Sequence, residues 1–153
     1  MENKIFSIIM PCHNGARHLD GAINSVLSQS YVNWELLIID DNSTDNSVSI
    51  IKNYCQKDSR IKFLQNDNPQ GKPFAPRNFG IKSASGRYIA FLDCDDKWLP
   101  TKIDNQIKLF EDSKCAIAFS YYKKMNEESV VRDAIIKSPA KVSYKQLLNG
   151  NCI

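Results

Sequence analysis

Short, nearly unbroken apolar runs alternate along the chain with stretches in which apolar residues return every three or four positions. The runs are Ile5 to Met10, Trp34 to Ile39, Ile61 to Gln65, Tyr88 to Leu92 and Cys115 to Tyr122. Apolar runs of this length without polar alternation predict strands covered on both faces, as inside a parallel sheet, with Ile61 to Gln65 a weaker strand than the others. Pro11 is expected to end the first strand, because it has no N–H to give to a ladder. Between the runs, Leu19, Ala22, Ile23, Val26 and Leu27 form one helical stripe, and Val48, Ile51 and Tyr54 or Cys55 form another. Asn42, Ser43 and Thr44 offer turn and cap chemistry for that second helix. A third helix is predicted over Ala75 to Ala84 with Pro76 in its first turn, and Pro100 opens a fourth with Ile103, Ile107 and Phe110 inward. Ser143 caps a last helical turn holding Tyr144, Leu147 and Leu148.

Strands and helices in alternation predict an α/β fold, a mostly parallel sheet flanked by helices on both faces in the Rossmann-like manner. Ligands of such sheets bind beyond the carboxyl ends of the strands. Asp40 and Asp41 follow the second run, and Asp93, Asp95 and Asp96 follow the fourth. If the backbone stays extended past Asp93, the side chains of Asp93 and Asp95 share one side about 7 Å apart, which suits a single hard cation. The other reading is a solvated turn that ends a strand, for which Asp is a common residue. His13, in the turn Pro11 to Gly15, and Arg77, near the start of the third helix, fall at the same edge. An anion is favoured at a helix amino end, although Arg77 could equally be a surface charge. The loop Asn66 to Phe74, rich in residues that break regular structure, lies beside them. Convergence of these residues, more than any one of them, points to a ligand site.

Composition narrows the class. With 153 residues, 42% hydrophobic and 24% charged, the chain suits one globular domain with its own core. A net charge of +3, from twenty basic and seventeen acidic residues without a dense basic block, makes no case for nucleic acid. Five cysteines, odd in number and without a Cys-x-x-Cys pair, argue against a disulfide framework and a zinc site, and for a reducing compartment. No run is long enough for a signal peptide or a membrane span, so a cytoplasmic chain is expected.

Five blocks in order carry a family resemblance. They are Ser7-Ile8-Ile9-Met10-Pro11-Cys12-His13-Asn14, Ser25 to Tyr31, Trp34 to Asp45, Arg77-Asn78-Phe79-Gly80-Ile81 with Ala84-Ser85-Gly86, and Tyr88 to Asp96. Together they resemble the family-2 glycosyltransferases of the GT-A fold. The resemblance implies that Pro11 and His13 line a nucleobase, His13 standing where the family often has Tyr, and that Asp41 hydrogen-bonds the base, usually uracil. It further implies that Arg77 lies near the nucleotide. Asp93 and Asp95 match the Asp-x-Asp motif, which binds ribose and, chiefly through Asp95, a divalent metal, Mn2+ or Mg2+, on the diphosphate; Cys94 is then a spacer. The implied reaction moves a sugar from a nucleoside-diphosphate sugar to an acceptor hydroxyl, with inversion, in bacterial-type surface polysaccharide or lipopolysaccharide synthesis. The acceptor is a saccharide or lipid-linked saccharide, met by peripheral association at the inner face of a membrane.

An alcohol is a poor nucleophile near neutral pH, so transfer needs a general base. Glu127, Glu128 and Asp133 lie in the acceptor-side region, but their spacing marks none of them as that base, which is expected beyond Ile153. The chain therefore reads as a single GT-A domain cut short, with a nucleotide-sugar part over about 1–100 and the start of an acceptor part over about 101–153. The alternative is a noncatalytic nucleotide-sugar-binding fragment or module. Haloacid-dehalogenase phosphatases share an Asp-x-Asp, but place it after the first strand with Thr where Lys97 stands. Nucleotidyltransferases need a Gly-rich amino-terminal loop, which Pro11 to Gly15 does not provide.

Overall fold

The computed structural model describes residues 5–66, 74–111, 115–126, 128, 130–143 and 145–146. They form two compact units, residues 1–104 and 105–153. The first unit holds a sheet of four parallel strands in the order β3-β2-β1-β4. These strands are β1 (Phe6–Cys12), β2 (Trp34–Asp40), β3 (Ile61–Gln65) and β4 (Tyr88–Phe91). Helices α1 (Ala16–Leu27), α2 (Ser47–Lys57) and α3 (Phe74–Ser83) connect them, and α4 (Lys102–Ile107) follows.

The two central strands are apolar almost throughout because both of their faces are covered. On one face Ile9, Leu37 and Ile39 make a buried cluster against which Leu64 and Ala84 pack. Helix α3 lies here. A Cβ added at Gly80 would stand 2.6 Å from Ile9 Cγ2 and 2.9 Å from Ile39 Cδ1, so the glycine is what lets the helix approach the sheet this closely. The opposite face, with Ile8, Met10, Leu36 and Ile38, is buried too, and α2 covers part of it, with Lys52 Nζ 5.4 Å from the centre of the Phe63 ring. At the amino end of the sheet Ser7 Oγ, Ser85 N–H and Ser85 Oγ all donate to Glu35 Oε1, while Lys62 Nζ donates to Glu35 Oε2 at 2.7 Å.

Four expectations are corrected. Strand β1 runs through Pro11 to Cys12. Ile9 C=O accepts from Leu92 N–H on the β4 side, whereas Cys12 C=O accepts from Asp41 N–H on the β2 side. By alternation the missing N–H of Pro11 faces β4, where the ladder has already stopped, so no bond is lost. Strand β4 is not covered on both faces: it is the edge of this sheet, with Ile89 37% and Phe91 47% exposed. Strand order decides this, and an apolar run does not encode it. Helix α2 begins after Asn46 instead of at Asn42–Thr44, with Asp45 Oδ1 accepting from Ser47 N–H at 2.9 Å. Finally, Cys115 to Tyr122 is not a fifth parallel strand.

The second unit instead contains an antiparallel hairpin of β5 (Tyr122–Met125) and β6 (Val131–Ile136). Residues 115–121 join no ladder among the described residues, and Ile117 and Tyr121 are exposed. Asn126 closes the hairpin: its N–H donates to Val130 C=O, and its Oδ1 accepts from Val130 N–H at 2.8 Å. The last helical turn expected over Tyr144, Leu147 and Leu148, the loop residues 67–73, and Glu127 lie outside the described residues.

Candidate functional site

Strand order places the site. From β1 the chain steps to β2 and β3 on one side and returns to β4 on the other, so the order reverses between β1 and β4. A crevice opens at such a reversal, beyond the carboxyl ends of the strands. Pro11, Cys12, His13, Asp40, Asp41, Asn66 and Asp93 all stand at or just past those ends.

The turn after β1 is built to hold the loop after β2. Asn14 adopts φ 51° and Asn42 φ 61°, a left-handed conformation that Asn tolerates better than most residues. Asn14 N–H donates to Ser43 Oγ at 2.9 Å, and Asn14 Oδ1 accepts from Thr44 N–H at 2.8 Å and Asp45 N–H at 3.3 Å. His13 Nδ1 lies 2.7 Å from Asp41 C=O, a geometry in which the ring nitrogen donates. At the start of α1, Asp45 Oδ2 accepts from Ala16 N–H at 3.0 Å and Ser47 Oγ from Gly15 N–H at 2.9 Å, so its first orphan donors are satisfied internally. Asp41 is oriented by Asn66, whose Nδ2 donates to Asp41 Oδ1 at 2.6 Å. Asp40 is buried, with Oδ2 accepting from Ser43 N–H at 3.2 Å and Gln65 Nε2 at 3.1 Å.

On the other side of the crevice the backbone does not stay extended. Asp96 N–H donates to Asp93 C=O at 3.0 Å, closing a turn over Asp93–Asp96, so the expected same-side spacing of Asp93 and Asp95 does not arise. The backbone of this segment is therefore a turn. The turn is anchored: Trp98 N–H donates to Ser25 Oγ at 3.1 Å, Gln29 Nε2 to Leu99 C=O at 2.8 Å, and Ile103 N–H to Gln29 Oε1 at 3.2 Å. Arg77 pairs with Asp93 through its terminal Nη2. Asp93 is 47% exposed and Asp95 also faces solvent. Burial raises the Asp96 carboxyl above its ordinary value, and the neighbouring charges of Asp95 and Asp93 raise it further. The turn is thus a centre of negative potential, which the Arg77 guanidinium partly offsets.

Among the described residues no group of three His, Cys, Asp or Glu forms a closed metal cage. Two exposed carboxylates fit an ion that takes one or two protein oxygens and completes its shell with phosphate and water, as Mg2+ and Mn2+ do. They do not fit a structural zinc site. In the same turn the Cys94 thiol meets Cys12. Their mutual hydrogen bond is the main force that lowers the Cys12 thiol to about 7, against the opposing effect of burial, and the Cys94 thiol is correspondingly raised. The pair releases one proton far more easily than the second.

Of the six residues singled out from the sequence, five gather around one edge on two sides of the crevice: His13 and Asp41 on the β2 side, and Arg77, Asp93 and Asp95 on the β4 side. Pro11 lies between them at the end of β1. Sequence reasoning missed the roles of Asn14 and Asn66 and the pairings Arg77–Asp93 and Cys12–Cys94. Asn14 could have been found, since an Asn beside a Gly after a strand is a frequent left-handed turn. The other contacts join residues far apart in the chain and leave no local signal.

These features define a doubly wound α/β domain whose polar chemistry collects at the switch point of a parallel sheet. Glycosyl transferase family 2 matches residues 7–151. The chain belongs to that family. It is 40% identical over 152 residues to the Escherichia coli UDP-Glc:alpha-D-GlcNAc-diphosphoundecaprenol beta-1,3-glucosyltransferase WfgD, covering 99% of this chain and 58% of that protein. It is 34% identical over 149 residues to the putative teichuronic acid biosynthesis glycosyltransferase TuaG of Bacillus subtilis, covering 97% and 59%. The crystal structure of S. aureus TarS 1–349 in complex with UDP superposes with a TM-score of 0.65 at 28% identity, covering 70% of this chain and 32% of that one. The fold is the GT-A fold, and the chain spans a little under three-fifths of the length of these two relatives.

Proposed function

We propose that this chain is the donor-binding part of a metal-dependent glycosyltransferase that takes a sugar from UDP and passes it, with inversion, to an acceptor hydroxyl in bacterial surface polysaccharide or lipopolysaccharide synthesis. One observation carries the reading: Asp41, oriented by Asn66, and the Arg77–Asp93 pair beside Asp95 stand on opposite sides of the switch-point crevice. Such a crevice suits a nucleoside diphosphate, with its base at one side and its phosphates at the other. WfgD is named for UDP-Glc as its donor, and the TarS structure is a complex with UDP, which supports uridine as the nucleoside.

The chemistry at each side follows from the groups present. Asn66 occupies Asp41 Oδ1, leaving Oδ2 to accept from the base. Uracil offers an N3–H donor there, whereas cytosine offers an unprotonated N3 that a carboxylate repels. His13 and Pro11 would flank the ring. Arg77 holds Asp93 in place and presents positive charge towards the diphosphate. Asp95, with Asp93, would hold Mn2+ or Mg2+, and the ion would neutralise charge growing on the departing diphosphate. We place the general base beyond Ile153, and the acceptor side from about residue 101 onward. No helix among the described residues is long and apolar enough to cross a membrane. The proposal has a lipid-linked acceptor, like that in the name of WfgD, met peripherally at the inner face.

Titration calorimetry of UDP, CDP, GDP and TDP in the presence of Mn2+ tests the donor assignment. The expected result is UDP binding with CDP weaker by on the order of tenfold or more, the discrimination vanishing in Asp41→Ala. Equal affinity for UDP and CDP would remove Asp41 from base recognition. The alternative reading is donor binding without transfer. It predicts UDP binding with no sugar release to acceptor or water.

A further inference from the structure

Two thiols meet at the switch point itself. Cys12 closes β1 and is 1% exposed, while Cys94 sits in the acidic turn after β4 and is partly exposed. Both are free. A methyl placed on Gly15 would stand 3.2 Å from Cys12 Sγ and 2.9 Å from Cys94 Sγ, so one point touches both sulfurs and the glycine keeps it clear of any side chain. Neither thiol takes part in holding the nucleotide in the reading above, which leaves their juxtaposition unexplained by it.

We propose that Cys12 and Cys94 are an oxidisable pair that closes to a disulfide under a peroxide, and that this bond disables the nucleotide site. The second half of the proposal rests on the donor-site reading. In the first step one sulfur of the pair attacks a peroxide oxygen; the O–O bond breaks, the sulfur becomes a sulfenic acid, and the thiol proton leaves in water. In the second, the other sulfur attacks the sulfenic sulfur, the S–O bond breaks, and a second water departs with the remaining thiol proton. Two thiols and one peroxide become one disulfide and two waters.

The consequence follows from what each sulfur is attached to. A covalent bond holds two sulfurs about 2 Å apart, closer than any non-bonded contact allows. Strand β1 is laddered on both sides, to β2 and to β4, and its side chains are buried on both faces. The Asp93–Asp96 turn joins no ladder, and the bonds that anchor the chain after it begin only at Trp98, so it is the part that yields. Asp93 and Asp95 flank Cys94, so both carboxylates and the Arg77 pairing shift with it, and the staple crosses the crevice in which the diphosphate would lie.

The test uses the full chain, reduced and then treated with stoichiometric hydrogen peroxide, blocked with N-ethylmaleimide, digested without reduction and mapped by mass spectrometry. The expected product joins the Cys12 peptide to the Cys94 peptide and is reversed by dithiothreitol, while Cys55, Cys115 and Cys152 carry the blocking group. Separate blocking of Cys12 and Cys94, conversion of either to a sulfinic acid without a cross-link, or a cross-link to another cysteine overturns the proposal. UDP titration with Mn2+ then compares oxidised and reduced samples of the wild type and of Cys94→Ser. Oxidation should weaken wild-type binding by on the order of tenfold and leave Cys94→Ser at its own reduced value. A cross-linked wild type that binds UDP as well as the reduced form overturns the second half. Reduced protein that binds no UDP sinks the donor-site reading, and the cross-link map still decides whether the dithiol closes.

Discussion

Single side chains in this chain act through partners brought from distant positions. Glu35 is the clearest case: burial alone would raise its carboxyl, but Lys62, Ser7 and Ser85 outweigh burial and hold it at about 2. A depressed carboxyl stabilises the fold at pH values above its unfolded value, near 4.5, and that contribution is lost as pH falls from there towards about 2. Urea midpoints should therefore drop between about pH 5 and about pH 3 in the wild type, and drop less in Glu35→Gln, which is already weaker at neutral pH. Parallel curves for the two proteins would show that Glu35 gains nothing from its partners. Arg77 offers a second test. Arg77→Met should reduce affinity for UDP with Mn2+ by on the order of tenfold, and Arg77→Lys, which keeps the charge but loses the planar fork, by less. Unchanged affinity in both variants would detach Arg77 from the nucleotide.

The elements were legible where one local cause fixes them. Trp34 to Ile39 lies within β2 because buried parallel strands are written as continuous apolar sequence, and Ile61 to Gln65 coincides with β3, an edge strand whose run is broken by Lys62. The stripe Leu19, Ala22, Ile23 and Val26 is the buried face of α1. What failed depends on neighbours. Cys115 to Tyr122 has the composition of a strand, yet a strand exists only through a ladder, and the chain supplies one from Tyr122 to Met125 only, to β6. The Asp93–Asp96 segment was open to two readings, and the backbone bond across it selected the turn. Helix α3 carries a consequence that composition would not give. In an exposed helix Gly80→Ala would stabilise, but here the added carbon meets Ile9 and Ile39, both fully buried. Overpacking costs about 1–3 kcal/mol and helix propensity returns about 1, so a net loss of roughly 1 kcal/mol is expected in denaturant unfolding. A rise in stability would mean that α3 lies further from the sheet.

At the scale of the molecule, the candidate site belongs to one unit. Pro11, His13, Asp41, Arg77, Asp93 and Asp95 all lie within residues 1–104, on a sheet whose parallel sense, though not its strand order, could be foretold from the alternation of strand and helix. The edge at which they meet was legible for the same reason, since every parallel strand delivers its following residues to the same end. The pairings across that edge were not, because Asn66 reaches Asp41, Arg77 reaches Asp93 and Cys94 reaches Cys12 only once the strands are side by side. The central claim is that a nucleoside diphosphate binds there through a divalent ion on the acidic turn. Its most direct test is calorimetric titration of UDP with and without Mn2+, on the wild type and on the Asp93→Ala, Asp95→Ala double variant. UDP should bind the wild type with Mn2+, lose on the order of tenfold or more in affinity without the ion, and show no response to the ion in the double variant. Folded wild type that binds UDP equally well with and without Mn2+, or a double variant that keeps the metal response, would contradict it.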